Sequence, residues 1–129
     1  MTDQELINLA GAAREFAYAP YSNFFVGAAI LGESGKVYSG CNVENASYGL
    51  TNCAERVAIA NAISQGESSF ELLAISVKGG GSPCGACRQV INEFCPASMR
   101  VLMADEDGIL VKEMSLGELL PDSFGPESL

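Results

Sequence analysis

Two short segments, Cys53-Ala54-Glu55-Arg56 and Ser82-Pro83-Cys84-Gly85-Ala86-Cys87, place three cysteines and a glutamate at two expected helix starts. Asn52 and Ser82 are residue types that favour the N-cap, and Pro83 suits a first helical position, where its missing N–H has no partner to lose. If the three thiols act together, two helices distant in sequence must begin at one place in the fold. The partial positive charge at each helix start favours thiolate over thiol there.

The rest of the composition narrows what those thiols do. The chain has five cysteines, Cys41, Cys53, Cys84, Cys87 and Cys95, and no histidine. An odd cysteine count points away from a disulfide framework and towards metal or redox chemistry. The lack of histidine removes Ser-His-Asp and Cys-His triads and any histidine general base. Seven Lys plus Arg stand against sixteen Asp plus Glu, a formal charge of −9, so nucleic acid and anionic membrane are expected to be repelled. A neutral or cationic small molecule is the expected partner. No apolar run approaches the ~20 residues of a membrane span, and the opening MTDQELINLA lacks the basic region and apolar core of a secretory signal. The expectation is a cytoplasmic protein without membrane attachment.

The 129 residues fit one domain, 1–129, able to bury roughly two thirds of the surface of its unfolded form without disulfide staples. Thr2 and Glu5 have capping-box spacing, and Leu6, Leu9, Ala10, Ala13, Phe16 and Ala17 recur at helical period, which predicts a helix over about 3 to 17. FFVGAAIL and KVYSGC flank GESG as a hairpin; CAERVAIANAIS reads as a helix ended by Gly66. FELLAISV is a strand, KGGGSP a loop, and CGACRQVINEF a helix stopped before Pro96. RVLMAD and ILVKEM flank EDG, and SLGELL is a short last helix. Five strands and four helices in this order predict an α/β fold with one mixed sheet covered by helices.

Thiolates are what zinc binds, and three protein donors are the usual count of a catalytic rather than a structural zinc site. Glu55, two residues after Cys53, is the only strong general base the cluster offers. Arg56 offsets thiolate charge in this reading. Simpler readings remain open on the residues alone. Asn52 and Glu55 also have capping-box spacing, and Cys84-x-x-Cys87 after a strand also suits a thioredoxin-like dithiol. Cys41 and Cys95 are read as small hydrophobes rather than ligands.

Cys-Ala-Glu followed by Pro-Cys-x-x-Cys is the three-cysteine form of the zinc deaminase pattern. Together with YAPYSNFFVGAA and GCNVENASYGLTNCAER, it resembles the small, homotetrameric cytidine deaminases over about Glu5 to Phe124. The resemblance implies a three-layer α-β-α sandwich with a five-stranded mixed sheet. It also implies one zinc per subunit on Cys53, Cys84 and Cys87, with Glu55 shuttling protons and Arg56 compensating charge. Asn42 and Glu44 would bind the ribose hydroxyls, within a substrate loop running to Tyr48 that includes Ala46. Phe24 and Ala54 would lie against the nucleoside, and Phe124 would be lent by a neighbouring subunit. The implied reaction is hydrolytic deamination of cytidine and deoxycytidine. Three rivals are a metal-free dithiol oxidoreductase using Cys84 and Cys87, a deaminase of a related nucleoside such as blasticidin S, and a polynucleotide deaminase, whose basic groove the excess of acidic residues argues against. The sequence departs from the family pattern in the short, glycine-rich KGGGSPC loop and in Val57, where threonine is common.

Overall fold

Alternation along the strands sorts the apolar residues onto two faces of one sheet. The computed structural model describes residues 1–129. Its strands are β1 (Val26–Gly32), β2 (Val37–Cys41), β3 (Phe70–Val77), β4 (Arg100–Ala104) and β5 (Leu110–Ser115), arranged in the order β2-β1-β3-β4-β5. β1 pairs antiparallel with β2 and β3, β3 runs parallel to β4, and β5 closes antiparallel on β4. β1, β3 and β4 are buried on both faces, which is why they read as nearly continuous apolar runs.

Ala28, Ile30, Leu73, Ile75, Val101 and Met103 share one face. They pack under α2 (Ala54–Ser64), α3 (Gly85–Phe94) and α4 (Leu116–Leu119), through residues such as Ile59, Ile91 and Leu116. Their sequence neighbours Ala29, Leu31, Leu72, Ala74, Leu102 and Ala104 turn to the other face, against Leu6, Ile7 and Ala10 of α1 (Asp3–Arg14). The result is the expected three-layer sandwich with a five-stranded mixed sheet. Each fully buried Leu or Ile contributes on the order of 1.5–3 kcal/mol.

Two features of this packing position the site. The parallel β3–β4 pair needs a crossover, and α3 supplies it, so α3 begins just beyond the C-terminal end of β3. Gly40 of β2 lets α2 come close: a Cβ at position 40 would lie 2.5 Å from the Ala58 amide nitrogen.

Three helix boundaries differ from the sequence reading. Thr2 caps α1, with the Glu5 N–H donating to Thr2 Oγ1 at 3.1 Å, but the helix ends at Arg14. There the N–H groups of Glu15, Phe16 and Ala17 turn to carbonyls three residues back, tightening the last turn. Phe16 is therefore off the helix and 82% exposed, and Leu9 lies largely outside the buried stripe of Leu6, Ile7 and Ala10. Asn52 does not cap α2: its N–H and carbonyl pair with Val43, and Cys53 occupies the N-cap. Ser82 does not cap α3 either. Its hydroxyl contacts Met103 Sδ at 3.5 Å, and Cys84 is the N-cap residue. No helix is long and apolar enough to cross a membrane.

Candidate metal centre and active site

The shifted helix starts bring the thiols nearer to the helix ends than the sequence reading placed them. Cys53 and Cys84 are the N-cap residues of α2 and α3, and Cys84 Sγ accepts the N–H of Cys87 at 3.5 Å, a cap made by sulfur. Cys84 and Cys87 Sγ are 3.4 Å apart, Cys53 and Cys84 Sγ 3.9 Å, and all three sulfurs lie within 4.8 Å of one another. Cys41 on β2 and Cys95 at the end of α3 stand outside this cluster; burial pushes the Cys95 thiol up to about 12.

One turn into α2, Arg56 donates from Nη2 to Cys53 Sγ at 3.2 Å, and its Nε is buried without a partner. A hydrogen bond from Cys87 and the Arg56 guanidinium pull the Cys53 thiol down to about 5. The Cys87 thiol moves the other way, chiefly because its proton is held against the Cys53 sulfur and then because it is buried. Three converging sulfurs, two helix N-termini and no carboxylate cage fit a thiolate-seeking divalent ion such as zinc and do not fit magnesium or calcium.

Glu55 is 4% exposed, and burial pushes its carboxyl above the ordinary carboxylate range. The capping box that its spacing from Asn52 allowed is not formed, since Asn52 is not the cap. What Glu55 lines instead is a cavity of about 460 Å³, together with Cys53, Cys84 and Ala54. This volume lies within the ~300–1,000 Å³ of small-molecule sites. Val26, Ile75 and Val77 form an apolar wall, Phe24 stands at the mouth 55% exposed, and Ser22, Asn42, Glu44, Thr51 and Ser82 supply polar groups.

Asn42 is buried and clamps the entry to β1. Its Oδ1 accepts the Val26 N–H at 2.9 Å, and its Nδ2 donates to the Phe24 carbonyl at 2.7 Å. Glu44 Oε1 accepts the N–H groups of Tyr21 and Ser22 at 3.0 and 3.2 Å, while Oε2 accepts the Ser22 hydroxyl. That hydroxyl is the main reason the Glu44 carboxyl is held below its usual range. Gly80 adopts φ +73°, and a Cβ there would meet Val111 Cβ at 2.8 Å, so the glycine-rich loop is shaped for a tight passage behind the cavity rim at Gly81 and Ser82.

The fold thus gathers Cys53, Cys84, Cys87, Glu55, Arg56, Ala54, Phe24, Asn42 and Glu44. Within one chain it leaves Ala46, Tyr48 and Phe124 outside the cavity lining. Tyr48 is 76% exposed and its ring meets Tyr21 at 6.0 Å, beside a neighbouring hollow. Phe124 is 63% exposed, its carbonyl held by Gln89 Nε2 at 2.8 Å on the flank of α3. The sequence reading missed Ser22, Thr51, Ser82, Val26, Ile75 and Val77. Period two along β3 does place Leu73, Ile75 and Val77 on one face, a usable signal for the wall. Nothing in the sequence told Ser22 or Ser82 apart from ordinary turn and cap formers.

Comparison with known proteins converges on one group. The family profile described as "Cytidine and deoxycytidylate deaminase zinc-binding region" matches residues 1–103. A cytidine deaminase of Sporosarcina psychrophila is 50% identical across 100% of this chain and 96% of its own length. A cytidine deaminase of Halalkalibacterium halodurans is 48% identical over 100% and 98%. The crystal structure of cytidine deaminase from Burkholderia pseudomallei superposes with a TM-score of 0.91 at 50% identity, covering 96% of this chain and 100% of that one. Neither the dithiol reading nor the antibiotic deaminase finds support in these matches.

Proposed function

The chain belongs to the cytidine and deoxycytidylate deaminase family, and on that premise we propose that it hydrolyses the 4-amino group of cytidine and deoxycytidine, giving uridine or deoxyuridine and ammonia. One observation carries the reading: a buried carboxyl, Glu55, shares a ligand-sized cavity with cysteines whose sulfurs converge within 4.8 Å. Cys53, Cys84 and Cys87 would hold one zinc ion per chain, and zinc so held supplies Lewis acidity that brings the ionisation of water from a pKa of ~15.7 to ~7.

Glu55 handles the protons. It accepts one from the attacking water and delivers it to ring nitrogen 3, which makes carbon 4 electrophilic; it then takes the second, from the hydroxyl newly bound to carbon 4, and gives it to the amine, so that the bond from carbon 4 to nitrogen breaks, ammonia leaves and the 4-carbonyl forms. A group that takes and returns a proton in one turnover works best with a pKa near the working pH, and burial shifts Glu55 in that direction. Arg56, bonded to Cys53, offsets the negative charge that three thiolates bring to the site.

Asn42 keeps one amide hydrogen free after its bond to Phe24, and with Glu44 it recognises the sugar hydroxyls. Phe24 and Ala54 bound the space for the nucleoside. No Lys or Arg lines the cavity, so a 5′-phosphate would find no cation there, which favours nucleosides over nucleotides. We assign Ala46, Tyr48 and Phe124 to sites shared between copies in a homotetramer. Exposed Phe24, Tyr48 and Phe124 are the kind of aromatic surface that a second copy covers. The whole chain acts as one domain, and five free cysteines suit a reducing cytoplasm.

Chromatography of zinc-replete protein incubated with cytidine, deoxycytidine or deoxycytidylate tests the reading. The expected result is uridine or deoxyuridine with equimolar ammonia from the nucleosides and little product from the nucleotide. Intact cytidine after long incubation would overturn it.

A further inference from the structure

The segment between Ala19 and Phe24 is built as a closed turn at the cavity mouth. Asn23 has φ +57°, a left-handed conformation that asparagine tolerates better than most residues, and its N–H bonds the Ala19 carbonyl at 3.0 Å. This turn puts Ser22 between Glu44 of the proposed sugar site and Phe24 at the cavity mouth. Its hydroxyl donates to Glu44 Oε2 and accepts the Phe24 N–H at 3.0 Å, while its own N–H and that of Tyr21 both bond Glu44 Oε1.

The donor count sets a direction. Oε1 already accepts two N–H groups, whereas Oε2 accepts one hydroxyl and keeps a free lone pair. We infer that Ser22 is a positioning residue for sugar recognition: its hydroxyl aims the open lone pair of Glu44 Oε2 at a ribose hydroxyl and ties that carboxylate to the main chain of Phe24. This rests on the nucleoside reading of the cavity. Without the hydroxyl both remaining bonds fall on Oε1, and Oε2 loses its fixed direction. A turn-forming role alone, through the Ser22–Phe24 contact, would affect folding but not the choice of substrate.

The two roles separate on a pair of substrates, cytidine and 2′,3′-dideoxycytidine, which differ only in the sugar hydroxyls. Ser22→Ala, Ser22→Thr, Glu44→Ala and the double variant Ser22→Ala/Glu44→Ala are compared by kcat and KM, or by inhibition constants where turnover is too slow, alongside thermal melting. Ser22→Ala is expected to lower kcat/KM for cytidine about tenfold, equivalent to ~1.4 kcal/mol. The loss should fall in KM, as for an interaction made equally in ground and transition states. Dideoxycytidine should change less than about twofold, Ser22→Thr should restore cytidine, and Ser22→Ala should add nothing once Glu44 is gone. Ser22→Gly repeats the deletion if Ser22→Ala does not fold.

If Glu44→Ala treats the two substrates alike, the sugar reading itself falls. If Glu44→Ala discriminates while the Ser22 variants lower both substrates equally or shift only the melting temperature, the positioning role is overturned and the sugar reading stands.

Discussion

Gly40→Ala links packing to chemistry and can be worked from the coordinates. The new Cβ would lie 2.5 Å from Ala58 N and 2.9 Å from both Ala54 O and Val57 Cβ, none of them the end of a flexible side chain. Ordinary contact begins near 3.4 Å, so α2 must retreat from β2 by 3.4 − 2.5 = 0.9 Å. Overpacking of this kind costs about 1–3 kcal/mol, which for a chain of this size is a fall in Tm of roughly 3 to 18 °C. Cys53 directly precedes α2, and Glu55 sits in its first turn, so the retreat also displaces a ligand and the proton shuttle relative to Cys84 and Cys87 at the start of α3. A misplacement near 1 Å can lower a rate by ~10²-fold. The assay is kcat/KM for cytidine and zinc content per chain, both at a temperature where the variant is fully folded. Ile30→Val is the control, since it removes a methyl from the same core for ~0.5–1.5 kcal/mol without pushing α2. Gly40→Ala should lose activity and hold zinc more weakly, while Ile30→Val should lose only stability. Wild-type kcat/KM and zinc retention in a Gly40→Ala protein of lowered Tm would refute the link.

Glu55→Gln should keep the fold and the zinc, because the amide avoids the desolvation of a buried charge, yet lose at least ~10²–10⁴ in kcat; retained turnover removes Glu55 from the chemistry. Arg56→Gln deletes the cation bonded to Cys53, so zinc should be lost to a competing chelator at lower concentration than in wild type; an unchanged competition curve argues against charge compensation. Phe124→Ala, whose main-chain anchors on α3 remain, should be nearly inactive alone but recover activity when reassembled with Glu55→Gln, each copy supplying what the other lacks. Failure of mixed oligomers to recover would place Phe124 outside a shared site. Thr2→Ala should cost ~1 kcal/mol of stability from the lost cap and leave kcat/KM unchanged.

Much of this architecture was legible because the apolar pattern is strong. Runs such as FELLAISV have strand length, and period two within them separates Leu73 and Ile75 from Leu72 and Ala74, which defines the layers. The metal cluster was legible because thiol ligands with a nearby carboxyl leave few alternatives. Helix starts were less legible. Asn52 and Ser82 are better N-caps than cysteine by propensity, but Asn52 pairs through its main chain with Val43, and Ser82 lies on the loop that carries Cys84 into place. Phe16 followed the helical period and still lies exposed, because the chain must turn there to bring Tyr18 beside Val43. The polar lining was least legible: the contact between Ser22 and Glu44 joins positions 22 residues apart, and no local pattern encodes it.

A deaminating site built from three cysteines and one carboxyl stands or falls with its zinc. The most direct test follows the ultraviolet absorbance of cytidine with the purified protein before chelation, after zinc is stripped, and after zinc is restored, with the metal counted at each stage. The expected result is conversion to uridine that disappears with the metal and returns as zinc approaches one ion per chain. Undiminished conversion by metal-free protein, or none by folded, zinc-loaded protein, would contradict it.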